Sequence, residues 1–167
     1  MKSLIDKKIL WSAIAFSATA IFSVAIMNSL PRIEQQRQRS FTRATMDGNL
    51  GRMRWLHFAG AKVNARTNLG NPLFLAASEG NLKAVRYLLD QGADVNAREV
   101  GGSSALIEAA YNGHVEVIKE LLLRGADINV ISPQGTALDV ALNRRNSAAD
   151  LLRHLGGKTA REISSGG

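Results

Sequence analysis

A ten-residue stretch of this chain recurs three times at a nearly constant interval. The copies read LHFAGAKVNA at residues 56–65, LLDQGADVNA at residues 88–97 and LLLRGADINV at residues 121–130. They begin 32 and then 33 residues apart. Self-similarity at this period is typical of stacked repeats, in which each unit buries its apolar faces only against its neighbours. This feature restricts the possible folds more than any other in the chain.

Residues 71–102, NPLFLAASEGNLKAVRYLLDQGADVNAREVGG, show what one unit predicts. Asn71 is a favourable N-cap, and Pro72 suits the first helical turn because its missing N–H is not needed there. Two runs of apolar residues at helical spacing follow, with Gly80 between them and Gly92 after the second. The unit therefore predicts a helix, a turn, a second helix and an extended loop. The same pattern divides the chain into four repeats at residues 39–70, 71–102, 103–135 and 136–157.

These units resemble the ankyrin repeat, whose opening motif is Thr-Pro-Leu-His-x-Ala-Ala. The similar stretches are NPLFLAA at residues 71–77, SALIEAA at residues 104–110 and TALDVAL at residues 136–142. The family's Gly-His turn is matched at residues 113–114, and its Gly-Ala-Asp-Val-Asn ending is matched at residues 92–96 and closely at 125–129. The resemblance covers about residues 39–157. It implies an all-α solenoid of about four helix-turn-helix repeats.

The chain departs from the family pattern in two ways. The motif histidine is replaced by Phe74, Ile107 and Asp139, so the hydrogen bonds that it would make are expected to be missing. The last repeat lacks a glycine between its helices, as expected of a terminal capping repeat. Residues 158–167, which follow it, are predicted to form a flexible tail.

The segment before the repeats has a different composition. Residues 9–30, ILWSAIAFSATAIFSVAIMNSL, contain no charged residue, and residues 1–8 form a basic leader. A helix of this length spans about 33 Å at about 1.5 Å per residue, enough for a bilayer core. We therefore expect an N-terminal transmembrane helix. A cleaved signal peptide is one alternative because of the basic start. A buried soluble helix is another, disfavoured because the segment is apolar on all sides.

Basic residues flank the predicted anchor on both sides, so the charge rule for topology decides little. Lys2, Lys7 and Lys8 precede the anchor, whereas Arg32, Arg37, Arg39 and Arg43 follow it. A short basic leader before an apolar run is how a signal anchor begins. This favours a single-pass membrane protein with its repeats outside the cytoplasm. The arginine cluster favours the opposite orientation.

Positive charge is concentrated just after the anchor. The formal net charge is +7, and residues 32–66 carry seven Arg and one Lys against two acidic residues. Residues 31–38 are predicted to be a polar, basic stalk. A surface of this kind could bind anionic lipid or, as a less favoured alternative, nucleic acid, since Trp55 lies near two arginines. The arginines of this candidate surface are Arg32, Arg37, Arg39, Arg43, Arg52 and Arg54.

The sequence shows no recognisable catalytic constellation. There is no cysteine, which excludes disulfides, thiolate metal sites and cysteine nucleophiles. No phosphate-binding Gly-Lys-Ser/Thr loop is present, and the three histidines lie too far apart in sequence to share a metal ion. We therefore expect a protein that is not an enzyme and that takes no cofactor, metal or small-molecule substrate.

The ankyrin resemblance implies that a partner protein binds the concave side, formed by the first helices and the loop tips. The helical candidates are Leu75, Ser78, Glu79, Glu108, Tyr111, Asn112, Asn143 and Arg144. The loop candidates are Leu69, Arg98, Glu99, Val100 and Ile131, beside Thr67, Asn68, Ser132 and Pro133. Tyr111 is the strongest candidate because tyrosine is a common interface anchor. Leu69, Val100 and Ile131 either form an apolar ridge or pack on one another.

Together these features predict a membrane-tethered module for protein–protein interaction. Two alternatives remain at this point. One is a basic surface that binds anionic lipid or nucleic acid. The other is a secreted interaction protein, which would follow from cleavage of the first segment.

Overall fold

The computed structural model describes residues 30–165, and the chain divides into two units at residues 1–37 and 38–167. Residues 30–46 are helical and are called α1 here. The later helices are α2 (Leu50–Phe58), α3 (Pro72–Ser78), α4 (Leu82–Asp90), α5 (Ala105–Asn112), α6 (Val115–Leu123), α7 (Ala137–Arg144), α8 (Ala148–His154) and α9 (Ala160–Ser165). The described part of the chain contains no strand. The predicted all-α class with paired helices is confirmed over this range.

The first helix of each of the last three repeats begins at the residue that the sequence predicts. Asn71, Ser104 and Thr136 each accept a hydrogen bond from the backbone N–H three residues later. Such caps satisfy an N–H that has no partner inside the helix. Pro72 occupies the first turn of α3. Local sequence therefore fixes the start of each of these helices.

A left-handed residue joins the two helices of each pair. Gly80 and Gly113 occupy this position with φ of +69° and +74°. The residue after it bonds to the preceding repeat: Asn81 Nδ2 donates to the Met46 carbonyl oxygen at 2.8 Å. His114 Nε2 lies 2.9 Å from the Ser78 carbonyl oxygen in the same way. The family's Gly-His turn therefore fastens neighbouring repeats.

Packing forms two rows of helices. The first helices α3, α5 and α7 lie side by side, and the second helices α2, α4, α6 and α8 form the other row. Ala76, Ala109 and Ala141 are fully buried in the first row, where small side chains allow close approach. Leu88, Leu121 and Leu152 are fully buried in the second. The apolar stripes thus form one core, as stacked repeats require.

Two expectations differ from the structure. Over Ala160–Ser165 the expected flexible tail is instead a helix, whose first turn is held by a bond from Ala160 N to Asp139 Oδ2 at 2.7 Å. The hydrogen bonds expected to be missing at the motif-histidine position are replaced at Asp139. Its carboxylate accepts from the backbone N–H and hydroxyl of Thr136, at 2.9 and 3.0 Å. Asp139 therefore joins the last repeat to α9.

The N-terminal predictions concern mostly residues outside the described range. The leader at residues 1–8 and all but the last residue of the predicted anchor at residues 9–30 lie outside it. The predicted stalk, residues 31–38, is helical. Among the helices of residues 30–165, none is both long enough and apolar enough to span a bilayer.

Candidate functional site

A cleft lies between the first helices of three successive repeats and the loops that precede two of them. Its volume is about 430 Å³. Phe74 of α3, Ile107 of α5 and Val140 of α7 supply an apolar floor, on which Ile107 and Val140 are buried. The remaining lining residues are Glu99, Gly101, Ser103, Glu108, Tyr111 and Gln134. We call this the first-helix cleft.

Tyr111 stands at the side of the first-helix cleft with its ring against an arginine. It lies near the end of α5 and exposes 43% of its surface. The guanidinium carbon of Arg144, near the end of α7, lies 4.2 Å from the ring centre. This geometry is a cation–π contact, worth about 0.5–1 kcal/mol at an exposed site. The contact holds the tyrosine in place while leaving much of it accessible.

The Glu108 carboxylate lies beside Tyr111 and is only weakly engaged. Ser78 Oγ and Asn112 Nδ2 each donate to its Oε1 at 3.4 Å, at the long end of hydrogen-bond distances. The side chain is half-buried. A shorter bond to an incoming cation or N–H would improve on these contacts. Glu108 therefore gives the rim a carboxylate that can accept from a ligand.

Glu99 also lines the cleft, but its carboxylate is committed to the fold. Its Oε1 accepts from Asn71 N at 2.8 Å and from Asn71 Nδ2 at 2.6 Å. Its Oε2 lies 3.1 Å from Arg66 Nη2. Glu99 thereby positions the N-cap of α3 from the next loop. Both carboxylate oxygens of Glu99 are thus engaged within the fold, and its partner-binding role stays a prediction.

Arg98 joins successive loop tips in a comparable way. Its Nη2 donates to the Ile131 carbonyl oxygen, and its own carbonyl oxygen accepts from Arg66 Nη2 at 2.6 Å. Arg98 Nε also donates to the Gly102 carbonyl oxygen at 3.1 Å. These bonds tie the loops of three repeats together. Arg98 is exposed, but its Nε and Nη2 both donate to loop carbonyl oxygens.

The structure removes one residue from the predicted contact set. Leu75 is only 8% exposed, so little of its side chain is accessible to a partner. Ser78 and Glu108 are half-buried, and the exposed helical candidates are Glu79, Tyr111, Asn112, Asn143 and Arg144. The sequence set thus contains one core residue.

The three apolar loop-tip residues are all exposed. Val100 exposes 89% of its surface, and Leu69 and Ile131 are also classed as exposed. Such exposure is incompatible with close packing of Val100, the middle one of the three, against Leu69 and Ile131. Of the two arrangements considered for these residues, the exposed one fits better.

Sequence reasoning missed the floor of the cleft. Phe74 and Ile107 were recognised only as replacements of the motif histidine. The contact residues that the sequence predicts do not include Val140, Ser103, Gly101 and Gln134. The replacement of a polar motif residue by apolar ones in two successive repeats was the available signal. It places apolar surface where the family pattern has an imidazole.

The predicted basic residues lie on α1 and α2. Arg37 is half-buried, and the exposed ones are Arg32, Arg39, Arg43, Arg52 and Arg54. Arg32 and Arg37 belong to the first unit of the chain, and the other four belong to the second.

The histidines with side-chain contacts have structural roles. His57 Nδ1 lies 2.9 Å from the Tyr87 hydroxyl, and burial raises the pKa of that hydroxyl while the nearby Arg54 opposes the shift. His114 is in the turn described above. Residues 30–165 contain no group of three or more His, Asp or Glu side chains that could hold a metal ion.

Comparison with known families agrees with the architecture. The family model for ankyrin repeats (3 copies) matches residues 41–132, more than half of the chain. A search of curated proteins gave no match. Ankyrin repeats generally mediate protein–protein interaction, and proteins built from them are typically non-enzymatic. The helix pairs, the turns between them and this match show that the chain belongs to the ankyrin repeat family.

Proposed function

We propose that this protein is a membrane-tethered interaction module that binds a segment of a partner protein in the first-helix cleft. The observation that carries the proposal is the position of Tyr111, exposed beside an apolar floor of Phe74, Ile107 and Val140. Binding sites commonly combine an apolar floor with a few well-placed polar groups. Tyrosine at such a place is a frequent energetic anchor of interfaces.

The cleft favours a particular kind of partner side chain. An apolar stem could lie on the floor while a terminal cation or N–H donates to Glu108, whose existing bonds are 3.4 Å long. Lysine and arginine have this construction, an apolar stem ending in a donor. We therefore propose that the partner presents an exposed basic side chain to the first-helix cleft.

The tether is proposed from the sequence of residues 9–30 alone. Their 22 uncharged positions and the basic leader support a signal anchor with the repeats outside the cytoplasm. The chain has no cysteine, so Ser164→Cys, at an exposed position of α9, introduces a unique thiol. Labelling of membrane-bound protein on intact cells by an impermeant maleimide supports this orientation. Labelling only after lysis contradicts it, and secretion of a shortened chain contradicts the tether.

Site-specific photo-crosslinking tests the partner site. A benzophenone amino acid replaces Tyr111 in one variant and Lys83, exposed on α4 in the other row, in the control. We expect a discrete protein adduct from position 111 that is absent or much weaker from position 83. Equal adducts from both positions, or none from position 111, would count against the first-helix cleft as the binding site.

A further inference from the structure

The outer face of α2 carries two large aromatic side chains in an unusual setting. Phe58 exposes 93% of its surface and Trp55 exposes 67%. The helix also carries Arg52 and Arg54, both exposed. We call these four residues the α2 patch. Single exposed apolar residues are ordinary on protein surfaces, but adjacent exposed aromatics suggest an interaction site.

Helical geometry places the four residues on one continuous face. Successive residues are rotated by about 100° around a helix, so residues three apart are neighbours. Met53 and Leu56 are buried on the inner side of α2. On this rotation Phe58 lies almost opposite them, with Trp55 beside it and one arginine at each edge. The aromatic pair is therefore flanked by positive charge on both sides.

In the next two repeats, the residue at the position of Trp55 makes a contact between repeats. At the repeat spacing, its counterparts are Tyr87 and Glu120. Tyr87 contacts His57 through its hydroxyl at 2.9 Å, and Glu120 Oε2 lies 2.8 Å from Arg86 Nε. Each counterpart thus connects its second helix to that of the preceding repeat. Within residues 30–165, no helix pair precedes the one that carries Trp55, so no such contact is made there.

Helix α2 differs in its charged residues from the second helices of the next two repeats, α4 and α6. On α4 and α6 most of the basic residues have acidic partners, and Arg124, just after α6, lies 2.6 Å from Asp90 and 3.1 Å from Glu120. Helix α2 contains no acidic residue, and no salt bridge among residues 30–165 engages Arg52 or Arg54. Its positive charge is therefore available to an anionic surface.

We propose that the α2 patch docks on the headgroup region of an anionic lipid bilayer. Tryptophan is enriched at that depth because its ring is amphipathic, and basic residues are attracted to anionic lipids at about 1 kcal/mol each. A bilayer accommodates the protruding side chains of Phe58 and Trp55, whereas the backbone of a nucleic acid duplex, with its bases stacked inside, satisfies only the arginines. The proposal requires anionic lipid in the leaflet that faces the repeats, and proximity to that leaflet rests on the proposed tether at residues 9–30. The chemistry of the patch does not depend on the tether.

The chain contains two tryptophans, Trp11 in the predicted anchor and Trp55 in the patch, and each reports on one claim. Full-length Trp11→Phe protein is reconstituted with vesicles of phosphatidylcholine and phosphatidylglycerol in equal parts, brominated near the headgroups. We expect bromine to quench Trp55 in these vesicles and much less in phosphatidylcholine alone. Trp11 is the third residue of the predicted anchor and would lie near its end, so full-length Trp55→Phe protein in the same vesicles, brominated near the headgroups, reports on the anchor.

Charge variants test the cause of the contact. Arg52→Gln with Arg54→Gln should shift the docking equilibrium toward the free state by about 30-fold at about 1 kcal/mol per charge. Lys83→Gln with Arg153→Gln removes two exposed charges elsewhere and should leave Trp55 quenching unchanged. If both double variants lose Trp55 quenching to the same extent, the effect depends on net charge alone. That result would overturn the assignment of docking to α2.

The remaining outcomes separate the two proposals. If Trp55 is quenched and Trp11 is not, the result supports docking of the α2 patch and contradicts the tether. If Trp11 is quenched and Trp55 is not, the result overturns docking of the patch and leaves the tether intact. Trp55 that is shielded from acrylamide before vesicles are added is covered by a second copy or by residues 1–29, which overturns bilayer docking. Quenching by duplex RNA but not by vesicles would also overturn it in favour of nucleic acid.

Discussion

The Asn96 side chain bonds to the backbone of the next repeat at two points. Its Oδ1 accepts from Asp127 N at 2.9 Å, and its Nδ2 donates to the Gly125 carbonyl oxygen at 3.2 Å. Asn64 makes the same pair of contacts with Asp94 and Gly92, at 2.9 and 3.0 Å. The asparagine that recurs with the repeat is therefore a connection between repeats.

Replacing Asn96 by alanine removes both bonds at once. We expect Asn96→Ala to lower the free energy of unfolding by about 1–3 kcal/mol, since a typical hydrogen bond contributes about 0.5–1.5 kcal/mol. Chemical denaturation measures this. Asn68→Ala is the control, because Asn68 is exposed and makes no side-chain hydrogen bond within the described range. Equal stability of the two variants would show that the bonds of Asn96 to the next repeat contribute little to the free energy of unfolding.

Arg145 occupies the left-handed position that glycine fills in the preceding repeats. Its φ is +53°, whereas that of Gly113 is +74°. A residue with a Cβ is strained there by about 1–2 kcal/mol. We expect Arg145→Gly to raise the free energy of unfolding by up to about 1 kcal/mol, part of the relief being offset by backbone entropy. Arg145→Ala keeps the strain and should show no such gain in thermal denaturation.

Thr42 and Thr45 of α1 are equally buried but differ in their hydrogen bonding. Both are fully buried, but Thr45 Oγ1 donates to the Phe41 carbonyl oxygen at 2.9 Å, whereas the described residues offer Thr42 Oγ1 no partner. An unsatisfied buried hydroxyl costs about 1–3 kcal/mol. Thr42→Val should therefore stabilise the protein by about 1 kcal/mol in denaturant titrations, and Thr45→Val should not. Similar effects of the two substitutions would contradict this assignment.

Glu162 makes the last helix sensitive to acid. The backbone N–H and the hydroxyl of Thr159, both donating to its carboxylate, lower the Glu162 pKa from its ordinary value of 4.5. The cap stabilises α9 fully above about pH 4.5, and this contribution is lost as pH falls through the lowered pKa. An NMR titration should show the Thr159 amide following Glu162. In Glu162→Gln the amide should lose this transition, and its persistence would assign the titration to another group.

Much of the fold follows from local sequence. The cap at Asn71 and the turn at Gly80 are predicted because each depends on residues within a few positions, and Ser104 and Thr136 cap helices at the matching motif positions. The helix at residues 160–165 was missed although Thr159 and Glu162 cap its first turn, which is a local signal. Only its bond to Asp139, about twenty residues away, lies beyond the reach of local sequence. Long-range contacts have no signature in a single sequence.

The candidate site was only partly predictable for the same reason. The variable positions of the repeat pointed to Tyr111 and Glu108, which the structure places on one cleft. They also pointed to Glu99, whose partners Asn71 and Arg66 lie about thirty residues earlier. Exposure and long-range partners decide whether a variable residue is available. Both are properties of the stacked repeats and not of one unit.

The most direct test of the proposed binding site is the affinity of the cross-linked partner for the Tyr111→Ala variant. We expect the dissociation constant to rise about 30-fold or more, as for a residue worth about 2 kcal/mol in an interface. The melting temperature should fall by no more than a few degrees, because Tyr111 is 43% exposed. Lys83→Ala should bind like the unmodified protein. Unchanged affinity of Tyr111→Ala, with its fold intact, would contradict binding in the first-helix cleft.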